Sequence, residues 1–341
     1  MNEIIITKVG KNTYTERMED IMDNNGTNRI PNRRMSKEQQ ISNNIEQPSR
    51  YRSDSSPEKL EKFAKKITRG CYWLSTSNPK TIKGLREGYV TAVLSLAPAK
   101  TSGTNVCFRF KHCEPDCLYK KGRGQMKMVQ QARITKTKLF FDNQEEAIMA
   151  IHCELRRIKR QLKDTDLLLA CRLNCFSDLK WEEMTFECLD NKTIFDANPD
   201  IQFYDYTKYP LYYRQAWSEM PLNYHLTYSY DGTKEDLVNC LAVLKSGFNV
   251  KMILKKKAWN ILKGTEWFTE LPTKGKDYTY QIIGFLKTYL NNNYQTYFNE
   301  SVMGEVLNYS LTNSELTDNR FNDPSPSICL GVEKGHTQIA L

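Results

Sequence analysis

The chain of 341 residues contains no apolar run near the roughly 18 residues that a bilayer span needs, and Met1-Asn2-Glu3 opens no signal peptide. Both absences predict a protein kept in a reducing cytoplasm, away from the membrane. Neither a P-loop nor a G-x-G-x-x-G fingerprint occurs; Gly122-Arg123-Gly124 lacks the third glycine and follows no strand-like run. No Ser or Cys elbow flanked by glycines is present, so the sequence offers no ordinary acyl-transfer nucleophile. Paired C-x-x-C units are missing, and with them the zinc-finger pattern. No internal repeat is found.

What is present is globular in composition. Apolar residues make up 40% and charged residues 26%, but a mean hydropathy of -0.62 means that some stretches cannot be packed interior. The length suits one large α/β domain with a tail, or two ordinary domains. A net charge of +9 favours polyanionic partners such as a nucleotide or nucleic acid, although solubility alone would also account for it. The distribution is more telling. Between Cys107 and Lys138 stand nine Lys/Arg against two acids, Glu114 and Asp116, and Lys255-Lys256-Lys257 forms a second basic patch. Either patch also fits a solvated face.

Residues 1–68 are rich in Asn, Ser, Glu, Gln, Lys and Arg and read as a disordered or weakly structured tail, ending in a short helix near Pro57-Glu58-Lys59-Leu60 with Ser56 as its N-cap. Residues 69–341 read as a single α/β domain. Tyr89–Leu96 has the nearly continuous apolar character of a buried strand, stopped by Pro98. Ile148, Ile151, Leu155, Ile158 and Leu162 form one helical stripe. Further strands are predicted at 167–171, 201–206, 225–229 and 248–254. Helices are predicted around Trp181-Glu182-Glu183 and over 236–246, the latter ended by Gly247. Alternation of strands with helical crossovers implies parallel pairing, hence a complete or partial β/α barrel or a doubly wound sheet. Aromatic-rich residues 258–317 break the rhythm and are expected to be a helical insertion or cap. A last strand, Ile328–Val332, is expected to close the sheet.

Parallel β/α folds place their chemistry at the carboxyl ends of the strands. Arg172, Asn174, Ser177 and Asp178 follow one predicted strand. Asp205 and Tyr206 end the next, which Thr207 and Lys208 follow, and Ser229 ends a third. Arg172 shares a strand face with Leu168 and Ala170, where a guanidinium is costly unless that face is polar or the charge is paired. Asp178 is either an acid–base group or the N-cap of the helix after it. Lys208 is either a ligand or an exposed lysine, and Tyr206 either a contact for substrate or a packing aromatic. Cys107, Cys113 and Cys117 bring three of the ten thiols into eleven residues, as an iron–sulfur cluster or zinc requires. His112 is a candidate fourth ligand, and unligated thiols are the plain alternative. His152, on the apolar-striped helix, reads as packing.

Several segments in order carry a resemblance. They are Leu74-Ser75-Thr76-Ser77-Asn78-Pro79-Lys80, Leu94-Ser95-Leu96-Ala97-Pro98-Ala99, Cys113-x3-Cys117 followed by Tyr119, and Arg172-Leu173-Asn174 with Ser177-Asp178 and Trp181-Glu182. Phe203-Tyr204-Asp205-Tyr206-Thr207-Lys208, Asp318-x-Arg320-x-x-Asp323-Pro324 and Gly331-x-x-x-Lys334-Gly335 complete the set. Together they resemble the phage-encoded gene product 88 family over about residues 72–336. The resemblance implies a phage or mobile-element protein of the bacterial host cytoplasm and supplies no reaction. It adds Asp318, Arg320 and Lys334 to the expected substrate-binding residues. The cysteine segment is also similar to radical S-adenosylmethionine barrels, which would make S-adenosylmethionine a cofactor, but it departs from them in cysteine spacing and in the placement of Tyr119.

The function these readings predict is a metal-dependent enzyme, with an iron–sulfur cluster or zinc on Cys107, Cys113 and Cys117, that modifies a phosphate-bearing substrate, a nucleotide or nucleic acid. Asp178, Asp205 and Lys208 are its expected catalytic residues. Arg172, Asn174, Ser177, Tyr206, Thr207 and Ser229 are the expected substrate contacts. Two non-catalytic alternatives stand beside it: a nucleic-acid-binding accessory protein, and a protein that captures a host factor through the aromatic stretch.

Overall fold

The computed structural model describes residues 4–9, 12–17, 57–76, 79–110, 117, 119, 122–165, 167–210, 213–214, 220–231, 236–254, 310–313 and 327–332. Within the range expected to be a tail, β1 (Ile4–Val9) and β2 (Asn12–Arg17) pair as an antiparallel hairpin. Helix α1 (Pro57–Ile67) follows, and its Ala64 and Ile67 join the domain core.

The domain is built on one sheet. The two-residue β3 (Leu74–Ser75) and helix α2 (Pro79–Gly84) precede β4 (Tyr89–Leu94), every residue of which is buried. Helices α3 (Lys127–Asp142) and α4 (Gln144–Leu162) lead to β5 (Leu168–Arg172) and then β6 (Gln202–Thr207). Strand β7 (Tyr224–Ser229), helix α5 (Asp236–Lys245), β8 (Asn249–Leu254), β9 (Ser310–Asn313) and β10 (Ser327–Val332) complete it. The sheet order is β3-β4-β5-β6-β7-β8-β10-β9, with β3 antiparallel to β4 and the other seven strands parallel.

From β4 to β8 the strands are laid down in sequence order, so the winding runs in one direction along this part of the sheet. Among the described residues the sheet is open, with β3 and β9 at its edges, so a complete barrel is not formed there. The last strand does not close it. Strand β10 lies between β8 and β9, and β9 itself falls inside the range expected to be a cap. The expected helix at Trp181–Glu183 is only a 3-10 turn, followed by another at Glu187–Leu189. Helix α3 is an addition, in a stretch read from its charge alone.

Strand alternation gives the sheet two faces. On one, Val90, Ala92, Leu169, Cys171, Phe203, Leu226 and Val250 pack with the α4 stripe and with Cys240, Val243 and Leu244 of α5. Each buried Val, Leu or Phe among them is worth roughly 1.5–3 kcal/mol of burial. The α4 stripe lies where its spacing predicts, started by Asn143, whose side-chain oxygen accepts from the Glu146 N–H at 3.2 Å. On the other face, the small apolar cluster of Tyr89, Ala170 and Tyr204, with Leu168 packed against it, gives way to polar residues farther along the strands.

Helix α4 also holds the short edge strand. Glu154 accepts backbone N–H groups of Tyr72 at 2.6 Å, Trp73 at 3.1 Å and Leu74 at 2.8 Å. Hydrogen bonds to a carboxylate are worth more than neutral ones, so Glu154→Ala should destabilise the domain by about 1.5–3 kcal/mol. A lowered urea midpoint at unchanged slope checks this.

Candidate functional site

The carboxyl ends of β4, β5, β6 and β7 are tied to one another by buried polar side chains. After β4, Ala97 N–H donates to Thr137 Oγ1 of α3 at 2.7 Å, and Ala99 takes the left-handed backbone (φ 51). The loop closes through Val106 N–H to Ala99 O at 3.1 Å, and Val106 O accepts from Asp178 N–H at 2.7 Å. Cys107 Sγ accepts from Ala99 N–H at 3.3 Å and donates to Phe176 O at 3.5 Å.

The β5 exit is a knot around Asn174. Its Oδ1 accepts from Ser177 Oγ at 2.8 Å, Leu179 N–H at 2.9 Å and Trp181 Nε1 at 3.1 Å, while Nδ2 donates to Leu179 O at 2.8 Å. Asn174 and Ser177, expected to touch substrate, therefore shape the loop. Asp205 accepts from Leu173 N–H at 3.3 Å and Asn174 N–H at 2.8 Å, with Arg172 Nε 3.7 Å away. Burial pushes its carboxyl from the ordinary 3.8 up to about 7, against the pull of Arg172.

Asp178 caps no helix; the turn after it starts from Lys180. Its Oδ2 accepts from Lys208 N–H at 2.8 Å, and Oδ1 lies 3.6 Å from Arg214 without a hydrogen-bond partner. Burial raises its pKa, with Arg214 opposing. Arg214 is wholly buried and forked onto Glu182, with Nη2–Oε2 at 3.0 Å and the Nε–Oε1 contact alongside. Lys208 is no free cation: its Nζ donates to Ser229 O at 3.0 Å, Tyr230 O at 3.2 Å and Ser229 Oγ at 3.5 Å. Thr207 Oγ1 accepts from Tyr209 N–H at 2.9 Å. Between these loops opens a cleft of about 420 Å³ whose wall includes Cys107, Phe108, Asp178, Lys180, Glu183 and Tyr209. The rings of Phe108 and Tyr209 stack with centroids 4.2 Å apart.

On the sheet face away from the helices, Tyr206 is approached by two cations. Arg172 Cζ lies 4.7 Å and Lys251 Nζ 4.6 Å from its ring centroid, and Lys251 Nζ is 3.4 Å from its hydroxyl. Thr91, Tyr204, His225, Thr227 and Asn249 make the same face polar, and the buried hydroxyls of Thr91 and Thr227 have no hydrogen-bond partner.

A model of the family described as gene product 88 matches residues 72–301. The chain belongs to the gene product 88 family. Searches of curated proteins and of solved structures found no match. The gene product 88 match ends short of the expected 336, so Asp318, Arg320 and Lys334 lie beyond it as well as outside the described residues. Cys113 and His112 are also outside the described residues, and among those described no three His, Cys, Asp or Glu side chains are placed to hold a metal. No described helix is long and apolar enough to cross a membrane.

The described part of the basic stretch is largely spent internally in this gene product 88 chain. Arg109 pairs with Asp231 at 2.8 Å and Asp236 at 2.7 Å, Lys136 donates to Trp73 O at 3.1 Å, and Arg133 lies over Phe176. His152 on α4 has its pKa lowered, chiefly by burial, as a packing histidine would. Sequence reasoning missed Lys251, Arg214, Glu182, Arg133 and Cys175. Lys251 had a signal, as the one charged residue in the strand run 248–254. Cys175 stands directly after Asn174.

Asp205 holds its proton in the folded chain between about pH 4 and 7, whereas the unfolded chain has released it. The unfolding free energy should therefore fall as pH rises through that window. Chemical denaturation from pH 4 to 7 checks this, and the slope should flatten in Asp205→Asn.

Proposed function

We propose that this gene product 88 protein is an enzyme acting on a phosphate-bearing substrate, a nucleotide or nucleic acid, at the carboxyl ends of its parallel strands. The observation that carries the reading is the convergence on Tyr206 of Arg172 from β5 and Lys251 from β8. Two cations around one ring suit a phosphate by charge-assisted hydrogen bonds and a base by stacking. Asp178, which lines the cleft and whose Oδ1 has no hydrogen-bond partner beside Arg214, is the group to hold or move a proton. A metal on Cys107, Cys113 and Cys117 belongs to the same reading; zinc would supply Lewis-acid chemistry and an iron–sulfur cluster electron transfer. Cys107 borders the cleft that Asp178 lines, which supports placing the thiols beside the substrate.

Titration with a nucleoside triphosphate tests the anion site. Arg172→Ala and Lys251→Ala should each weaken binding by about tenfold or more, since a hydrogen bond to a charged group is worth about 1.5–3 kcal/mol. Equal affinity in wild type and both variants would remove the site. Iron, zinc and sulfide analysis after anaerobic purification tests the metal, expected in the wild type and lost in Cys113→Ala. Salt-dependent DNA or RNA binding that is indifferent to Cys113→Ala, with no turnover, would make the protein a non-catalytic binder instead.

A further inference from the structure

Arg172 stands between two consecutive residues of β6. Its Cζ lies 4.7 Å from the Tyr206 ring centroid, and its Nε is 3.7 Å from Asp205 Oδ1. Nη2 reaches Asn174 O at 3.4 Å, just past the end of β5. Successive residues of a strand send their side chains to opposite faces, so the guanidinium is shared between the two faces at the end of the strands. One neighbour offers it a ring, the other a carboxyl.

Asp205 is 1% exposed, so water does little to screen its charge. Its ionised form is held by the Leu173 N–H at 3.3 Å, the Asn174 N–H at 2.8 Å, the Tyr224 hydroxyl at 3.5 Å and the charge of Arg172. Burial works against that form and pushes the carboxyl up to about 7, so near neutral pH the two forms lie close in free energy. A further charge decides between them. An anion drawn to Arg172 claims the guanidinium and adds negative charge beside a buried carboxylate, and both effects disfavour the ionised form. The other groups packed around Asp205 do not take this part. Arg214 acts on it but is forked onto Glu182, and burial raises the Tyr224 hydroxyl and the Cys171 thiol well above their ordinary values, which keeps both neutral.

We propose that Asp205 is a positioning residue that competes with the substrate's phosphate for Arg172, so that each phosphate bound brings a proton onto Asp205. Ionised, Asp205 holds the guanidinium; neutral, it yields that charge to the anion. The proton comes from solvent, and no other covalent bond is made or broken. The coupling is reciprocal: protonation favours the anion by the same factor as the anion favours protonation. The inference rests on the anion site proposed above and adds to it a residue that acts through Arg172.

The test is calorimetric titration of the full chain with a nucleoside triphosphate from pH 7.5 to 9, in buffers of different ionisation enthalpy. Phosphate groups titrate near pH 6, so the ligand keeps its charge over that range. Wild type should take up close to one proton and lose affinity by up to about 30-fold across the range, since one linked proton sets a limit of about tenfold per pH unit. Asp205→Asn, which carries no charge, should bind at pH 9 at least as tightly as wild type does at pH 7.5, with no uptake. Arg172→Ala, which removes what the two compete for, should bind weakly and without uptake. A merely structural Asp205 would leave the pH profile unmoved. Histidines also titrate near neutrality, and His225 lies in register with Tyr204. Uptake that persists in Asp205→Asn would therefore assign the proton elsewhere and overturn the inference. Wild type that binds with constant affinity and no uptake would also overturn it while leaving the anion site standing, and this measurement decides even if Asp205→Asn fails to fold by circular dichroism. Wild type that binds no triphosphate would remove both.

Discussion

Winding in one direction is the constraint on which the rest of this structure depends. Crossovers of one hand between strands laid down in order bring their helices to the same side of the sheet, so that side becomes the apolar core shared with α4 and α5. Among the described residues, the opposite face receives no helix from these crossovers. Here it carries Thr91, Arg172, Tyr206, Thr227 and Lys251, the residue types a fold buries only against partners or a ligand. Apolar packing at the amino ends of the strands, through Tyr89, Leu168 and Ala170, leaves the polar part toward the carboxyl ends. The direction of the strands thus decides where the polar side chains of this face collect.

Buried side chains then hold the exits still. Asp205 of β6 accepts the backbone N–H groups that leave β5, and Asp178 of the β5 loop accepts the N–H of Lys208 that leaves β6. Lys208 donates in turn to carbonyls leaving β7, and Asp236 accepts the N–H of Asp231 beyond them. Each loop is held by the strand or loop beside it. Fixed dipoles and preset loops are what a binding or reacting site needs, since little reorganisation is then left for the ligand to drive. The same bonds tie Asn174, Ser177, Asp205 and Lys208 into the frame, while Arg172 and Lys251 lie at the Tyr206 ring and Asp178 lines the cleft beside Cys107.

Most of the fold was legible because periodicity is a local property. The stripe Ile148, Ile151, Leu155, Ile158 and Leu162 allows only a helix with one buried face, and the run Tyr89–Leu94 reads as a strand buried on both sides. Helix α3 was masked by its own composition. Only Thr137 and Phe140 are buried along it, so no apolar stripe announced it. Strand β9 is four residues long, below what a pattern can reveal, and it exists because β10 pairs with it. The placement of β10 between β8 and β9 depends on hydrogen bonds between segments that carry no mark of their neighbours.

By itself the sequence determined that strands and helices alternate, which face of α4 is buried, and which end of the sheet collects polar residues, since each depends on spacing along a few turns of chain. It also pointed to the thiol-rich loop. Only the tertiary structure decided which of those polar residues meet. Arg172 and Lys251 come together at Tyr206, and Arg133 comes to Phe176 beside Cys175, through strand order and helix packing. Contacts between residues far apart in the chain are set by how the elements stack, and residue spacing holds no record of that.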